Sequence, residues 1–206
     1  MNHAIAPKGA LTTYKLVNIA VLSLLSLMMK FLYLTLPIFP AFLELDISDL
    51  PALVGTIAFG PVAGVFIVLV KNLLHFVLNT STAGIGEFAN FIAGVALVVP
   101  MGVIYRRTRS VKGYFFGAAA GVATMVVVAS LFNYFVLIPA FARMFLPLEA
   151  IIAMSAAVNS SVVDLWTLIL FTIVPFNIVK GLCVVIVGYV VLFKFNLLRH
   201  MRVKES

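Results

Sequence analysis

The chain has 206 residues, of which 64% are hydrophobic and only 10% charged, with a mean hydropathy of +1.20. That composition leaves too little polar material to cover a soluble globule, so it reads as a membrane protein. The net charge of +7 invites a nucleic-acid reading, but the basic residues fall at the ends of apolar runs rather than on one face, and no nucleic-acid partner is expected.

The N-terminal segment MNHAIAPKGALTTYK is polar for too long to be a secretory leader, and no small-residue cleavage site follows the first apolar run. The first spanning helix is therefore predicted at about 15–36 and expected to be retained. It carries Ala20, Ser23 and Ser26 on nearby faces, suited to packing inside a bundle or against a partner. Lys30, near its far end, reads as a snorkelling lysine.

Next comes ELDISDLPALVG, residues 44–55, with Glu44, Asp46 and Asp49 among only seven carboxylates in the chain. Ser48 or Asp49, with Asp49 favoured, reads as the N-cap of a short helix at 49–58, with Pro51 in its first turn. The remaining acids read as a water-facing rim. Gly60-Pro61 is a turn signal, and Pro61 suits the start of a further helix at 61–79. That helix holds Lys71 and His75, four apart and hence on one face, with Asn72 beside them.

A helix at 87–105 opens with Glu87 and Asn90 on one face. It ends in the basic run YRRTRSVK. A helix at 113–138 begins with Gly113, Gly117 and Gly121, a small-residue spacing read as internal helix packing in preference to oligomerisation, and carries Asn133 towards its far end. Residues 140–164 form an outer loop with about ten apolar or small residues, too few to span and suited to an interfacial piece. The last helix, 165–193, includes Asn177 and Lys180, three apart, and the lone cysteine, Cys183, read as a small buried hydrophobe.

Charge sets the topology. Cytoplasmic segments are enriched in Lys and Arg. Six spans place Lys8, Lys15, Arg106, Arg107, Arg109, Lys112, Lys194, Arg199, Arg202 and Lys204 on one side, ten of the fourteen basic residues. A five-span alternative moves the N-terminal lysines across. The expectation is a single membrane domain over 1–206: all-α, six transmembrane helices, both termini cytoplasmic. The polar residues Glu87, Asn90, Asn133, Asn177 and Lys180 then converge in the outer half. Polar groups inside a membrane are costly, so this set points to a polar-edged cavity in apolar walls, fitted to a small, flat, polar-rimmed molecule. No HExxH, Ser-His-Asp set or phosphate-binding Gly loop is present, and His3, His75 and His200 are scattered. Neither a metalloenzyme nor a self-powered pump is indicated.

The run LDISDLPALVGTIAFGPVAGVFIVLVKNLLHFVL, then GIGEFANFIAG, NYFVLIP and PFNIVKG, resembles the riboflavin-specific S components of energy-coupling factor (ECF) transporters over about residues 15–195. The resemblance implies a six-helix S-component bundle in a prokaryotic plasma membrane. It is a non-enzyme that captures riboflavin from outside, as cargo and not as a cofactor, and docks on a membrane T component with two cytoplasmic ATPase subunits. Transport in such families is thought to topple the S component in the membrane. Matched by motif, the vitamin contacts fall on Asn133, Asn177 and Lys180, with Leu45 and its neighbours, Asp46 included, from the loop after the first helix; Glu87 and Asn90, from the polar set above, are expected at the same site. S components commonly dock through an alanine pair four apart. Here Ala20 is followed by Leu24, so Ala20 with Ser23 is expected to serve. Other readings are an S component for another vitamin such as thiamine, a solitary proton-coupled carrier using Glu87, Lys71 and Lys180, and a membrane enzyme using Lys71/His75 or Glu87/Asp164.

Overall fold

A computed structural model describes residues 13–195. Lys8, Arg199, Arg202, Lys204, His3 and His200, which enter the sequence argument, lie outside the described residues. The first helix, α1, covers Thr13–Lys30 and stops six residues before the sequence suggests. The following Leu34-Thr35-Leu36 precedes Pro37, which disfavours helical geometry just before it. Leu34–Thr35 instead forms a short strand, β1, antiparallel to β2 at Glu44–Leu45, with Leu34 opposite Leu45 and Thr35 opposite Glu44.

The next helix, α2, covers Leu50–Phe59, and α3 covers Pro61–Asn79. The joint is the predicted one. Gly60 has φ +106° and ψ 170°, a region open essentially only to glycine, and a Cβ there would meet the Arg106 guanidinium at 3.0 Å. Its N–H closes α2 on the Thr56 carbonyl at 2.9 Å. Pro61 then opens α3, where its missing N–H costs nothing.

The hairpin of α4, Ile85–Thr108, and α5, Val111–Phe132, is the most intimate helix pair. Arg109 turns the chain in a left-handed conformation, and the Ser110 hydroxyl accepts from the Gly113 N–H at 3.1 Å. Gly117 and Gly121 face the α4 backbone: a Cβ on Gly117 would stand 2.9 Å from the Met101 carbonyl, and one on Gly121 would collide with that of Leu97. The small-residue spacing therefore serves internal packing, as expected.

Beyond Phe132 the chain winds through a π-helical turn, Asn133–Leu137, into α6, Ile138–Met144, and then α7, Leu148–Ala156. The helix thus continues past 138, and the predicted outer loop is largely folded. A four-residue helix α8, Leu165–Leu168, leads through a second π-turn, Ile169–Ile173, into α9, Val174–Tyr189, and a third π-turn, Val190–Lys194, follows. The first two π-turns each precede a proline, Pro139 and Pro175. A proline withholds its N–H and crowds the carbonyl four residues back, which loosens the ladder there. Asp164 caps α8, accepting from the Thr167 N–H at 2.7 Å, and that bond holds its exposed carboxyl below its usual range.

Among the described residues five helical stretches are long and apolar enough to cross a bilayer: Thr13–Lys30, Pro61–Asn79, Ile85–Thr108, Val111–Met144 and Leu165–Lys194. At roughly 1.5 Å per residue, α2 is about half the length of a hydrocarbon core. One apolar core joins α1–α5 and α9, centred on Leu53, Ile67, Leu97, Met101, Tyr114 and Val184. A second core, Ile138, Ile151, Val162, Leu168, Ile169 and Ile173, ties α6, α7 and α8 to the π-turns at one end of the bundle. Cys183 is half-buried.

Candidate ligand-binding site

A cavity of about 350 Å³ opens at the end of the bundle that carries the second core. That volume falls in the range, roughly 300–1,000 Å³, of small-molecule sites. It lies where the start of α4, the end of α3, the end of α5 with its π-turn, and the start of α9 come together. The basic residues Arg106 and Arg107 lie at the far end of α4.

All five polar residues selected from the spanning helices, Glu87, Asn90, Asn133, Asn177 and Lys180, line this one cavity. The two π-turns explain part of the convergence. Asn133 stands at the start of the first, and the Asn177 amide nitrogen donates to the carbonyl of Ile173, the last residue of the second, at 2.8 Å. The Asn133 amide nitrogen likewise donates to the Ala129 carbonyl at 2.7 Å. Both amides are held by their nitrogens, which orients the carbonyl oxygens as acceptors for a ligand's N–H or O–H. Apolar walls come from Ile138, Phe141, Ile151, Ile173 and Phe176. The short α7 supplies Ile151 and Met154, so the predicted interfacial piece forms a wall of the site.

The loop after α1 reaches the cavity through Phe42, Leu43 and Glu44. Leu45 and Asp46, expected there, are not among the lining residues. The antiparallel pairing explains Leu45, because successive residues of a strand point to opposite faces and Glu44 takes the cavity side. Asp46 instead turns inward and is 2% exposed. Its Oδ2 accepts from Lys30 Nζ and from Lys180 Nζ, both at 3.0 Å. Its Oδ1 accepts from the Ser48 backbone N–H at 2.9 Å and from the Ser48 hydroxyl at 2.5 Å. Burial alone would raise this carboxyl, but Lys180, then Lys30 and Lys71, and the Ser48 hydroxyl outweigh it and hold Asp46 well below the usual carboxylate range.

Of the two acids expected at a water-facing rim, Asp46 is thus buried and only Glu44 stays near water, and the capping bond expected of Asp49 does not form. Asp49 is also 2% exposed and takes Lys71 Nζ at 2.6 Å. It makes no side-chain cap bond, because the buried ammonium claims its carboxylate, and Lys71 also donates to the Ser48 hydroxyl at 2.9 Å. Only Glu44 remains open, 3.9 Å from Lys30. Lys30 is no snorkelling lysine; it is 6% exposed, lines the cavity and pairs with Asp46. The missed signal was an uncapped lysine in an apolar run followed closely by three acids. Unpaired charge in a membrane interior is expensive, and pairing among themselves is the usual remedy.

Lys71 and His75 share a helix face but not a partner. His75 Nδ1 lies 2.9 Å from Glu87 Oε1, while Glu87 Oε2 accepts from the Thr80 and Thr82 hydroxyls at 3.2 and 2.9 Å. Neither the Lys71/His75 nor the Glu87/Asp164 pairing of the enzyme reading forms. Among the described residues, no three His, Cys, Asp or Glu side chains gather to hold a metal. On α1, Ser23 is fully buried and donates to the Ile19 carbonyl at 2.7 Å, whereas Ala20 is exposed. The expected docking pair is therefore split, and only Ala20 belongs to the outer surface.

A sequence profile described as "ECF transporter, substrate-specific component" matches residues 14–192. The chain belongs to this family. It is similar to the "Riboflavin transporter RibU" of Staphylococcus aureus (strain TCH60), 35% identical over 180 residues, covering 87% of this chain and 88% of that one. It is similar also to the "Riboflavin transporter FmnP" of Bacillus subtilis (strain 168), 32% identical over 184 residues, covering 88% and 92%. A solved structure described as "Structure and mechanism of the S component of a bacterial ECF transporter" superposes with a TM-score of 0.70 at 32% identity, covering 91% of this chain and 97% of that one. The S-component bundle expected from the motifs is thus the observed fold, and the chain is a multi-pass bacterial membrane protein of transport type.

Proposed function

We propose that this S component is the riboflavin-binding subunit of an ECF-type uptake transporter, capturing the vitamin at the outer face of the plasma membrane. It then delivers riboflavin inward together with a T component and two ATPase subunits. The observation that carries the reading is the convergence of Asn133, Asn177 and Lys180 in one apolar-walled cavity, in a chain whose relatives are named riboflavin transporters. A flat isoalloxazine ring suits apolar walls. Its imide edge, with two carbonyls flanking an N–H, is complementary to amide oxygens and an ammonium. Ribityl hydroxyls can donate to Glu87 or Glu44. Against another vitamin such as thiamine stand the relatives, which are named riboflavin transporters.

The positive-inside rule orients the molecule. Arg106 and Arg107 end α4 opposite the cavity, which supports an outward-facing cavity and, if the short α2 is counted as a crossing of its own, cytoplasmic termini. The exposed face of α1 around Ala20, with Val17, Val21 and Leu24, is the surface offered to the T component. The test is direct. Protein purified in detergent from flavin-containing cells should be yellow, with quenched flavin fluorescence. Colourless protein that also ignores added riboflavin would refute the reading.

A further inference from the structure

The cavity has two unlike walls. Asn133 and Asn177 sit in the apolar one, beside Ile173 and Phe176, while Ser81, Thr82 and Glu87 make a polar one from the 80–84 turn between α3 and α4 and from the start of α4. A flat ring belongs on the first wall. A polyol belongs on the second, because a buried hydroxyl is costly unless it is hydrogen-bonded. The polar turn is sharply bent, with Ala83 at φ +50° and Gly84 at φ +89°. A non-glycine residue in that region is strained and persists only where its surroundings hold it. Glu87, 7% exposed, does the holding. Its Oε2 accepts from the Thr80 and Thr82 hydroxyls at 3.2 and 2.9 Å, and its Oε1 lies 2.9 Å from His75 Nδ1. Each threonine commits its single O–H proton to Glu87, so its oxygen is left to accept. Thr80 then takes the Thr82 and Gly84 N–H groups at 3.4 and 3.1 Å, and Thr82 takes the Gly86 N–H at 3.0 Å. Ser81 stands between the two threonines, exposed and lining the cavity, and among the described residues its hydroxyl has no hydrogen-bond partner.

We infer that Ser81 is a specificity residue for the ligand's polyol chain and that Glu87 is its positioning residue. Through Thr80 and Thr82, Glu87 fixes the 80–84 turn so that the Ser81 hydroxyl bonds a ribityl hydroxyl. Three of the roughly four acceptor sites of the Glu87 carboxylate are met within the chain, so its main action is on the turn. A hydroxyl both donates and accepts, and Ser81 can serve a ribityl O–H in either sense. The turn also lies close on the end of α3: a Cβ on Gly84 would meet the Phe76 ring at 2.9 Å. The contact is made only by a flavin that carries the chain, so this wall selects for the polyol, while the apolar wall with Asn133 and Asn177 selects for the ring.

This inference rests on the cavity being the riboflavin site, and the experiment separates the two. Riboflavin and lumiflavin, which keeps the isoalloxazine ring and has a methyl group in place of the ribityl chain, are titrated by flavin fluorescence quenching. The proteins are the parent, Ser81→Ala, Glu87→Gln and the double variant. Ser81→Ala should weaken riboflavin about tenfold, the scale of one net hydrogen bond, and lumiflavin by less than about twofold. Glu87→Gln should cause a loss of the same order, again confined to riboflavin. The double variant should match the weaker single variant within about twofold, because both changes remove the same contact. Equal losses for the two ligands, no loss in Ser81→Ala, or additive losses in the double variant would overturn the inference. If lumiflavin binds too weakly to titrate, the additivity of the riboflavin losses decides. If Glu87→Gln fails to fold, Ser81→Ala decides alone. A parent protein that binds no riboflavin refutes the functional reading instead.

Discussion

Asn177 and Lys180 are buried at the cavity wall, at 7% and 5% exposure, and truncating either leaves a ligand group desolvated without its partner. Asn177→Ala and Lys180→Ala should each weaken riboflavin binding by about 1–3 kcal/mol, read by fluorescence titration, while unchanged affinity in both would misplace the site. Asp46 carries a pH signature. Its folded pKa lies well below the usual 3.8, a depressed acid, so its contribution is full above that usual value and is lost as pH falls towards the folded one. Lys30, Lys71, Lys180, the more distant Glu44 and the Ser48 hydroxyl surround it. The difference in thermal stability between the parent and Asp46→Asn should therefore persist from neutrality to about pH 5 and shrink only below about pH 4. A difference already gone at pH 5 would contradict the placement of Asp46 among its lysines.

Two glycines carry the element scale. Gly60→Ala puts a Cβ where φ is +106°, and a loss of about 1–3 kcal/mol is expected, visible as a lowered thermal midpoint in detergent. Gly121→Leu should be worse, forcing α5 away from the α4 backbone at Leu97. Both sites were legible in the sequence, as a Gly-Pro turn and a small-residue spacing, because each pattern is visible within one short stretch, although the partner backbone of Gly121 lies on another helix. The five polar cavity residues were legible for a related reason: a polar side chain in an apolar run has few places to go. What stayed hidden was pairing across distance. Lys30, 16 residues before Asp46, was a partner within reach of local reading, but nothing near Asp46 says that Lys180, 134 residues on, shares the same oxygen, so a cap and a wet rim were the local readings. The strand pairing that turns Glu44 and not Leu45 towards the cavity was hidden likewise. The π-turns had a sequence sign in Pro139 and Pro175, but proline marks a break without saying that it will aim an asparagine.

At the scale of the molecule, the fold is a bundle with a basic end and a ligand end. No ATPase motif is present in the chain, so uptake in cells lacking the T and ATPase components should fail, and robust uptake there would favour a solitary carrier. The central claim is that the cavity holds riboflavin through Asn133, Asn177 and Lys180. The most direct measurement is a riboflavin titration of the purified protein, followed by quenching of flavin fluorescence, beside the Lys180→Ala variant. Saturable one-to-one binding by the parent, weakened at least about fivefold in the variant, is the predicted result. Absence of binding in the parent, or identical affinity in the two proteins, would contradict it.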